Sequence, residues 1–298
     1  MSTIARGLSG THKNWWECDS GIAYLVSGAA GWRTSRMTQV FDLSNPARPR
    51  FIRDFGLPGQ QAGARGPVPT GLHGPISTGP KGNRIYFGYG TNSGGVMQIV
   101  DREKLLNGPR EPTDANLLYP QVGRLELPSA MGAHTTFPIL GLEVAELASQ
   151  AGGNRRDFVL IVNEALASHC AEPRQMVWLA DITEEKRPMT VSGWTVVEAS
   201  GNFCALGRFG AHSSNESFTP IYHRRIVFVA FFNAGVRAVD IRDPYRPVEV
   251  AHFIPAQGAL TNNVEVDDRG YVYIVDRGAL GMHILELTGA ARRIANLP

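Results

Sequence analysis

Apolar and polar positions recur along this chain in a pattern of paired strands. Five runs rich in Val, Ile, Tyr and Phe have the composition that β-strands favour; they occupy residues 22 to 28, 84 to 90, 158 to 164, 226 to 232 and 271 to 277. Each is followed by a second, alternating run, and period-2 alternation predicts a strand with one buried face. These second runs reach an acidic residue at Asp42, Asp101, Asp181, Asp240 and Glu286.

Turns and a further strand follow the acidic residue. In three copies the next residues contain proline, as in SNPARP at 44 to 49, and proline stops a strand because it lacks the backbone N–H. A third β-rich run then follows in every copy but the last. A segment with Gly-x-His, or its equivalent, precedes each copy, so the pattern predicts four strands per unit and five units.

Four-stranded units of this length, repeated in line, are typical of a β-propeller, because each sheet buries its faces only against neighbouring sheets. We therefore predict an all-β protein, a five-bladed propeller of four-stranded antiparallel blades, in a single domain over 1 to 298. The predicted blades cover residues 8 to 60, 61 to 130, 131 to 208, 209 to 257 and 258 to 298. Either residues 2 to 8 or 292 to 297 would supply the outermost strand of the fifth blade. An open sandwich or a two-domain β protein is the structural alternative.

The spacing between the first segment and the acidic residue locates an insertion. From His12, His73, His134, His212 and Thr261 to the following acidic residue the chain advances 30, 28, 47, 28 and 25 positions. Only the third unit is long, and its excess fits an insertion around residues 143 to 156.

One stretch of sequence resembles known repeat proteins. Residues 229 to 253, VAFFNAGVRAVDIRDPYRPVEVAHF, resemble the bacterial family named after its LVIVD strand motif, and more weakly the selenium-binding protein and methanethiol oxidase family. The first resemblance implies a β-propeller, mostly without an assigned activity. The second implies a metal-using oxidase in which copper takes part. The cysteine-rich motifs of that second family do not occur in this sequence, which argues against thiol oxidation.

Composition narrows the class of partner. The apolar fraction is 43%, the charged fraction 19% and the formal charge +2, an ordinary globular balance without a basic tract. No apolar run approaches the roughly 20 residues of a membrane helix. We expect neither a nucleic-acid nor a membrane partner. The sequence does not specify the oligomeric state.

Four of the eight histidines occupy the same repeat position, at His12, His73, His134 and His212. The first strand of each propeller blade lines the central channel, so these imidazoles are expected to converge at one mouth of it. Neutral imidazole is the commonest protein ligand for metals, and a cluster of three or four suits iron, copper or zinc. The fifth unit has Thr261, a poor ligand, which would leave a coordination position open.

Two carboxylates stand at a matching repeat position. Glu216 and Glu265 each lie four residues after the first-strand residue, and we predict that they orient a histidine or act as a catalytic base. Glu164 is a weaker candidate of the same kind. The repeated histidine also fits a metal-free polar channel that binds a small molecule, or a structural role inherited with the repeat.

These features predict a metal-dependent enzyme, with iron or copper favoured over zinc. We expect an oxidoreductase or oxygenase that acts in the central channel on a small, apolar or aromatic substrate. A protein-interaction scaffold and a metal-dependent hydrolase or lyase are the alternatives. In the scaffold interpretation, the long insertion of the third unit would be the contact loop.

The cysteines suggest no framework of disulfides. Cys18, Cys170 and Cys204 are few, odd in number and without a Cys-x-x-Cys pair. The adjacent His169 and Cys170 would at most be a metal-binding or reactive pair. A cytoplasmic location is the simplest expectation, although a removed leader segment is compatible with the sequence.

Overall fold

The computed structural model describes residues 7–91 and 93–297. Within them the chain forms five antiparallel sheets, each a meander of strands that follow one another in sequence. The strands of the first sheet are β1 (Trp15–Trp16), β2 (Ile22–Ser27), β3 (Met37–Asp42) and β4 (Arg50–Phe55). Those of the second are β5 (Leu72–Ser77), β6 (Arg84–Tyr89), β7 (Val96–Asp101) and β8 (Gln121–Glu126).

The remaining three sheets follow the same order. The third has β9 (Thr135–Glu143), β10 (Arg155–Val162), β11 (Val177–Asp181) and β12 (Met189–Trp194). The fourth has β13 (Ser213–Ser214), β14 (Ile226–Ala230), β15 (Val236–Asp240) and β16 (Val248–Phe253). The fifth has β17 (Thr261–Val266), β18 (Val272–Asp276) and β19 (Met282–Leu285). The fold is a five-bladed β-propeller, and the predicted fold class is confirmed.

Helices are short and lie between strands or after the last one. They are α1 (Gly79–Gly82), α2 (Arg102–Asn107), α3 (Asp114–Leu118) and α4 (Gly289–Arg292). None of the helices in the described part of the chain has the length and apolarity needed to cross a membrane. The prediction of a fourth strand at residues 292 to 297 is wrong, because that segment contains the end of α4 and a turn. The other predicted source, residues 2 to 8, lies mostly outside the described residues.

The central strands differ from the predicted one-sided burial. β3, β7 and β14 are buried on both faces, whereas outer strands such as β16 are largely solvent-accessible. The reason is that sheets in a propeller pack face to face, so both faces of a middle strand are covered.

The chain divides into two compact units. Unit 1 spans the described residues up to Thr136 together with Glu185–Arg187, and unit 2 spans Phe137–Glu184 and the described residues from Pro188 onward. The core of unit 1 lies between its first two sheets and contains Tyr24 and Phe87. The core of unit 2 lies between the fourth and fifth sheets and contains Phe228 and Ile274. The single-domain assignment stays a prediction.

Candidate metal centre

Three of the four repeated histidines cluster in unit 1. His73 lies on β5, while His12 and His134 precede β1 and β9. The Nε2 atoms of His12 and His73 are 2.9 Å apart, and the ring centroids of His73 and His134 are separated by 3.7 Å. His73 and His134 are buried, whereas His12 reaches solvent. The structure therefore brings three predicted ligands together at a site that is open on one side.

The chemistry of this cluster fits a cation. In a neutral pair, one Nε2 must carry the proton that the other accepts, or both lone pairs can instead face a metal ion. Burial, with the nearby charges of Lys13, His12 and Arg36, holds the pKa of His73 well below its usual value. His73 is therefore neutral at pH 7, the protonation state that metal binding requires.

The orientation of His134 is set by its neighbour in sequence. His134 Nδ1 lies 3.0 Å from the hydroxyl oxygen of Thr135, which also accepts a hydrogen bond of 3.1 Å from Lys13 Nζ. Lys13 reaches that hydroxyl by passing over Gly74, where a Cβ atom would lie 2.6 Å from the lysine side chain. A hydrogen-bonded second nitrogen is the usual arrangement for a histidine ligand. The repeat pattern does not indicate Lys13 or Thr135, because neither residue recurs in it.

The fourth repeated histidine, His212, belongs to unit 2, where it contacts a buried carboxylate. His212 Nε2 lies 3.5 Å from Glu164 Oε1, and Arg208 Nη2 lies 3.2 Å from the same oxygen. The other ring nitrogen, Nδ1, donates to the backbone carbonyl of Asn262. Because a carbonyl only accepts, Nδ1 carries a proton, and Nε2 is the ring nitrogen that lies near the Glu164 carboxylate. The assignment of His212 to the same ion as the other three histidines stays a prediction.

The two glutamates assigned a catalytic role are joined by a hydrogen bond between the backbone of one and the carboxylate of the other. Glu265 Oε1 accepts a 2.9 Å hydrogen bond from the backbone N–H of Glu216, and Glu265 is exposed. The structure places Glu164, the weaker candidate of the sequence, beside His212. The catalytic role of Glu216 and Glu265 stays a prediction. Arg208, which holds Glu164, carried no signal in the sequence.

A disulfide lies close to this second group. Cys170 and Cys204 are joined, with their Cα atoms 5.3 Å apart, and His169 Nδ1 lies 3.0 Å from the Cys204 carbonyl oxygen. The expectation that Cys170 would at most be reactive or metal-binding is therefore wrong. Their separation of 34 positions follows no motif, so only the fold reveals the pairing. Cys18 is free and exposed.

Several solved structures are similar to this chain in fold. Raptor from Chaetomium thermophilum superposes with a TM-score of 0.56 at 11% identity, covering 94% of this chain and 19% of that one. A protein from Lactobacillus plantarum gives a TM-score of 0.50 at 7% identity, covering 96% of this chain and 70% of that one. The Dos1 propeller gives 0.45 at 12% identity, with coverage of 95% and 76%.

This chain is a β-propeller. It spans about a fifth of the length of Raptor. No protein-family model matches the chain, and no curated protein matches it in sequence. Identities this low show the fold alone, so the resemblance to the LVIVD-repeat family is supported at the level of the propeller and no further.

Proposed function

We propose that this propeller binds one transition-metal ion through His12, His73 and His134 and uses it as an oxidoreductase. The observation that carries the proposal is the 2.9 Å approach of the His12 and His73 Nε2 atoms beside the His134 ring. Imidazole nitrogens at this distance either share a proton or face a common cation, and the proposal takes the second alternative. His212 is the proposed fourth ligand.

The ligand set favours iron or copper over zinc. Neutral imidazoles leave the full positive charge on the ion, and a set without thiolate suits a redox metal with an accessible coordination position. Thr261, in the matching place of the fifth sheet, is fully buried and offers only a hydroxyl. A small apolar or aromatic substrate is proposed because aromatic side chains follow the histidines in sequence at Trp15 and Phe137.

Elemental analysis of the purified chain, after incubation with Fe(II), Cu(II) or Zn(II) and gel filtration, tests the proposal. We expect about one equivalent of metal in the wild type. His12→Ala and His134→Gln should each lower metal affinity at least tenfold. His12 is solvent-accessible, so its replacement should leave the fold intact. His252→Ala is the matched control. His252 is exposed, pairs with Glu249 and is not one of the repeated histidines.

Each outcome is informative. Folded wild-type protein that binds none of the three metals would overturn the proposal. Loss of metal in His212→Ala would establish the fourth ligand, and retention would limit the site to the three histidines of unit 1. Binding of zinc alone would favour the hydrolytic alternative over redox chemistry.

A further inference from the structure

The fifth sheet has one strand fewer than the other four within the residues that the structure describes. In each of the first four sheets a fourth, outermost strand pairs antiparallel with the third strand; these outermost strands are β4, β8, β12 and β16. The third strand of the fifth sheet, β19, is instead the last strand of its sheet and pairs with β18. Among residues 7–91 and 93–297, the outer side of β19 is therefore a strand edge without a partner strand.

The pairing with β18 shows which backbone groups of β19 point outward. The N–H of Asp276 donates to the carbonyl of Gly281 at 3.0 Å, and these two residues continue the register of the β18–β19 ladder. Hydrogen-bonded and non-hydrogen-bonded pairs alternate along an antiparallel ladder. The backbone of His283 is therefore turned towards β18, whereas the N–H and C=O groups of Met282 and Ile284 point away from the sheet.

The side chains at this edge are apolar and exposed. Met282 is 60% exposed, Ile284 is 58% exposed, and Val275, which faces Met282 across the ladder, is 46% exposed. Alternate residues of a strand lie on the same face of a sheet, so these three side chains share one face. An exposed apolar face beside outward-pointing backbone groups is a template for the addition of another strand.

The sequence of β19 does not protect this edge. Soluble proteins place charged residues or proline on exposed edge strands, which prevents pairing with another chain. Three of the four outermost strands, β4, β8 and β16, contain charged residues, as Arg124 and Glu126 in β8 illustrate. β19 has the sequence MHIL, with neither a charged residue nor a proline. The edge of the fifth sheet is therefore open to pairing.

We propose that β19 pairs antiparallel with β19 of a second copy of this chain, which joins the two fifth sheets into one six-stranded sheet. Pairing centred on His283 places Met282 of each copy opposite Ile284 of the other. The outward-pointing backbone groups of these residues then bond to each other, and their apolar side chains cover one another. The edge is its own complement in this arrangement, as a two-fold interface requires.

A second copy fits this edge better than a flexible peptide does. The edge offers the backbone groups of two residues, so hydrogen bonding contributes little. A flexible peptide loses backbone freedom at every residue that becomes ordered, whereas a strand within a folded sheet has lost that freedom before it binds. The four complete sheets show the same geometry, because an ordered antiparallel strand covers each of their third strands. The interface is separate from the proposed metal centre, none of whose ligands lies in β19.

Sedimentation equilibrium tests the proposal, with Cys18→Ser in every protein to prevent a disulfide between copies through this exposed cysteine. We expect monomers at about 5 µM and an increasing fraction of dimers up to about 500 µM, as for a small, weak interface. Met282→Lys should raise the dissociation constant at least tenfold, because each copy then places a charge against the apolar Ile284 of the other. Met189→Lys is the matched control. Met189 is 62% exposed on the outermost strand β12, and its replacement should change the constant less than twofold.

Hydrogen–deuterium exchange shows which strand forms the interface. The amides of Met282 and Ile284 should exchange at least tenfold more slowly at the highest protein concentration than at the lowest. Monomers throughout the concentration range would overturn the proposal, and so would dimers that Met282→Lys leaves intact. Protection of Met282 and Ile284 that is the same at every concentration would also overturn it, because another segment of the same chain would then cover the edge.

Discussion

At the residue scale, the recurring aspartate is a turn residue. Asp42, Asp181 and Asp240 each end the third strand of a sheet, and their Oδ1 atoms accept the backbone N–H two positions on, at 2.8 to 3.0 Å. Asp101 instead accepts the Lys104 N–H and caps α2. A side chain that begins a turn by this bond explains why the acidic residue recurs where the strand stops. The repeat marker is therefore structural, whereas the repeated histidine is the candidate for chemistry.

A second residue-scale feature is the buried carboxylate of Glu17. Arg102 donates to it at 2.7 Å through Nη2, and the hydroxyls of Tyr24 and Ser77 donate at 2.8 and 2.5 Å. Burial by itself raises the pKa of this carboxyl, but the hydrogen bonds from Arg102, Ser20, Ser77 and Tyr24 outweigh it and leave the pKa below its usual 4.5. Glu17 holds the first sheet to the second within unit 1 rather than serving the metal centre.

We expect Glu17→Gln to lower the free energy of unfolding by about 3–5 kcal/mol, because it leaves the buried Arg102 without its counter-charge. Urea denaturation at pH 7 measures this. Glu126→Gln is the control: Glu126 is exposed on the surface, where such a pair contributes about 0–1 kcal/mol.

The pH dependence of the same variant follows from the lowered pKa. The stabilisation by Glu17 is present above the unfolded pKa and is lost as pH falls through the lower, folded value. The gap in stability between wild type and Glu17→Gln should therefore narrow below about pH 4.5. A gap that stays constant down to pH 2 would contradict the ionised network.

At the element scale, the repeat includes a β-bulge. The pairing of the third and fourth strands shifts register one to two residues before the acidic marker in four sheets, between Val40 and Phe41, Ile99 and Val100, Leu179 and Ala180, and Ala238 and Val239. A bulge bends its strand and increases the local twist. A bulge is one extra residue in one strand relative to its partner. The sequence of a single strand therefore does not indicate it.

The disulfide is another element-scale device, because it joins two connecting segments of unit 2. Residues 163 to 176 follow β10, and residues 195 to 212 lie between β12 and β13. They also share the hydrogen bonds His169 N to Gly207 O at 2.7 Å and Arg208 Nε to Ala165 O at 2.6 Å. The cross-link thus supports the segments that carry Glu164 and Arg208.

The double variant Cys170→Ser with Cys204→Ser should lose about 2–4 kcal/mol of stability, because the unfolded chain regains the entropy of a 34-residue loop. Denaturation with and without dithiothreitol measures this. Reduction should lower the free energy of unfolding of the wild type and leave that of the double variant unchanged. Cys18→Ser, at the free exposed cysteine, should behave as the wild type does. Equal stability of oxidised and reduced wild type would show that the cross-link contributes nothing.

At the scale of the whole molecule, each unit has its own apolar core. Phe87 and Phe228 are buried in the cores of units 1 and 2, respectively. Truncation of either residue to alanine should lower the free energy of unfolding by about 3–5 kcal/mol. The predicted single domain requires that both changes lower the midpoint of one shared transition in calorimetry. Two separate transitions, each sensitive to only one of the two substitutions, would contradict that assignment.

Much of the candidate site was predictable because the repeat encodes it. The repeated Gly-x-His position alone indicated His12, His73 and His134, and the structure brings these three together. Glu164 was only weakly indicated, and Lys13, Thr135 and Arg208 were not indicated at all. These residues occur once each, and nothing in their local sequence distinguishes them from ordinary polar residues.

The sequence by itself determined the number of sheets, the order of strands and the position of the histidines, because these follow from short-range periodicity and from the repeat. Only the tertiary structure decided which strands are buried on both faces, that Cys170 forms a disulfide with Cys204, and which carboxylate contacts His212. Those outcomes depend on atoms brought together from distant positions, and pairing across such distances is a property of packing rather than of local pattern.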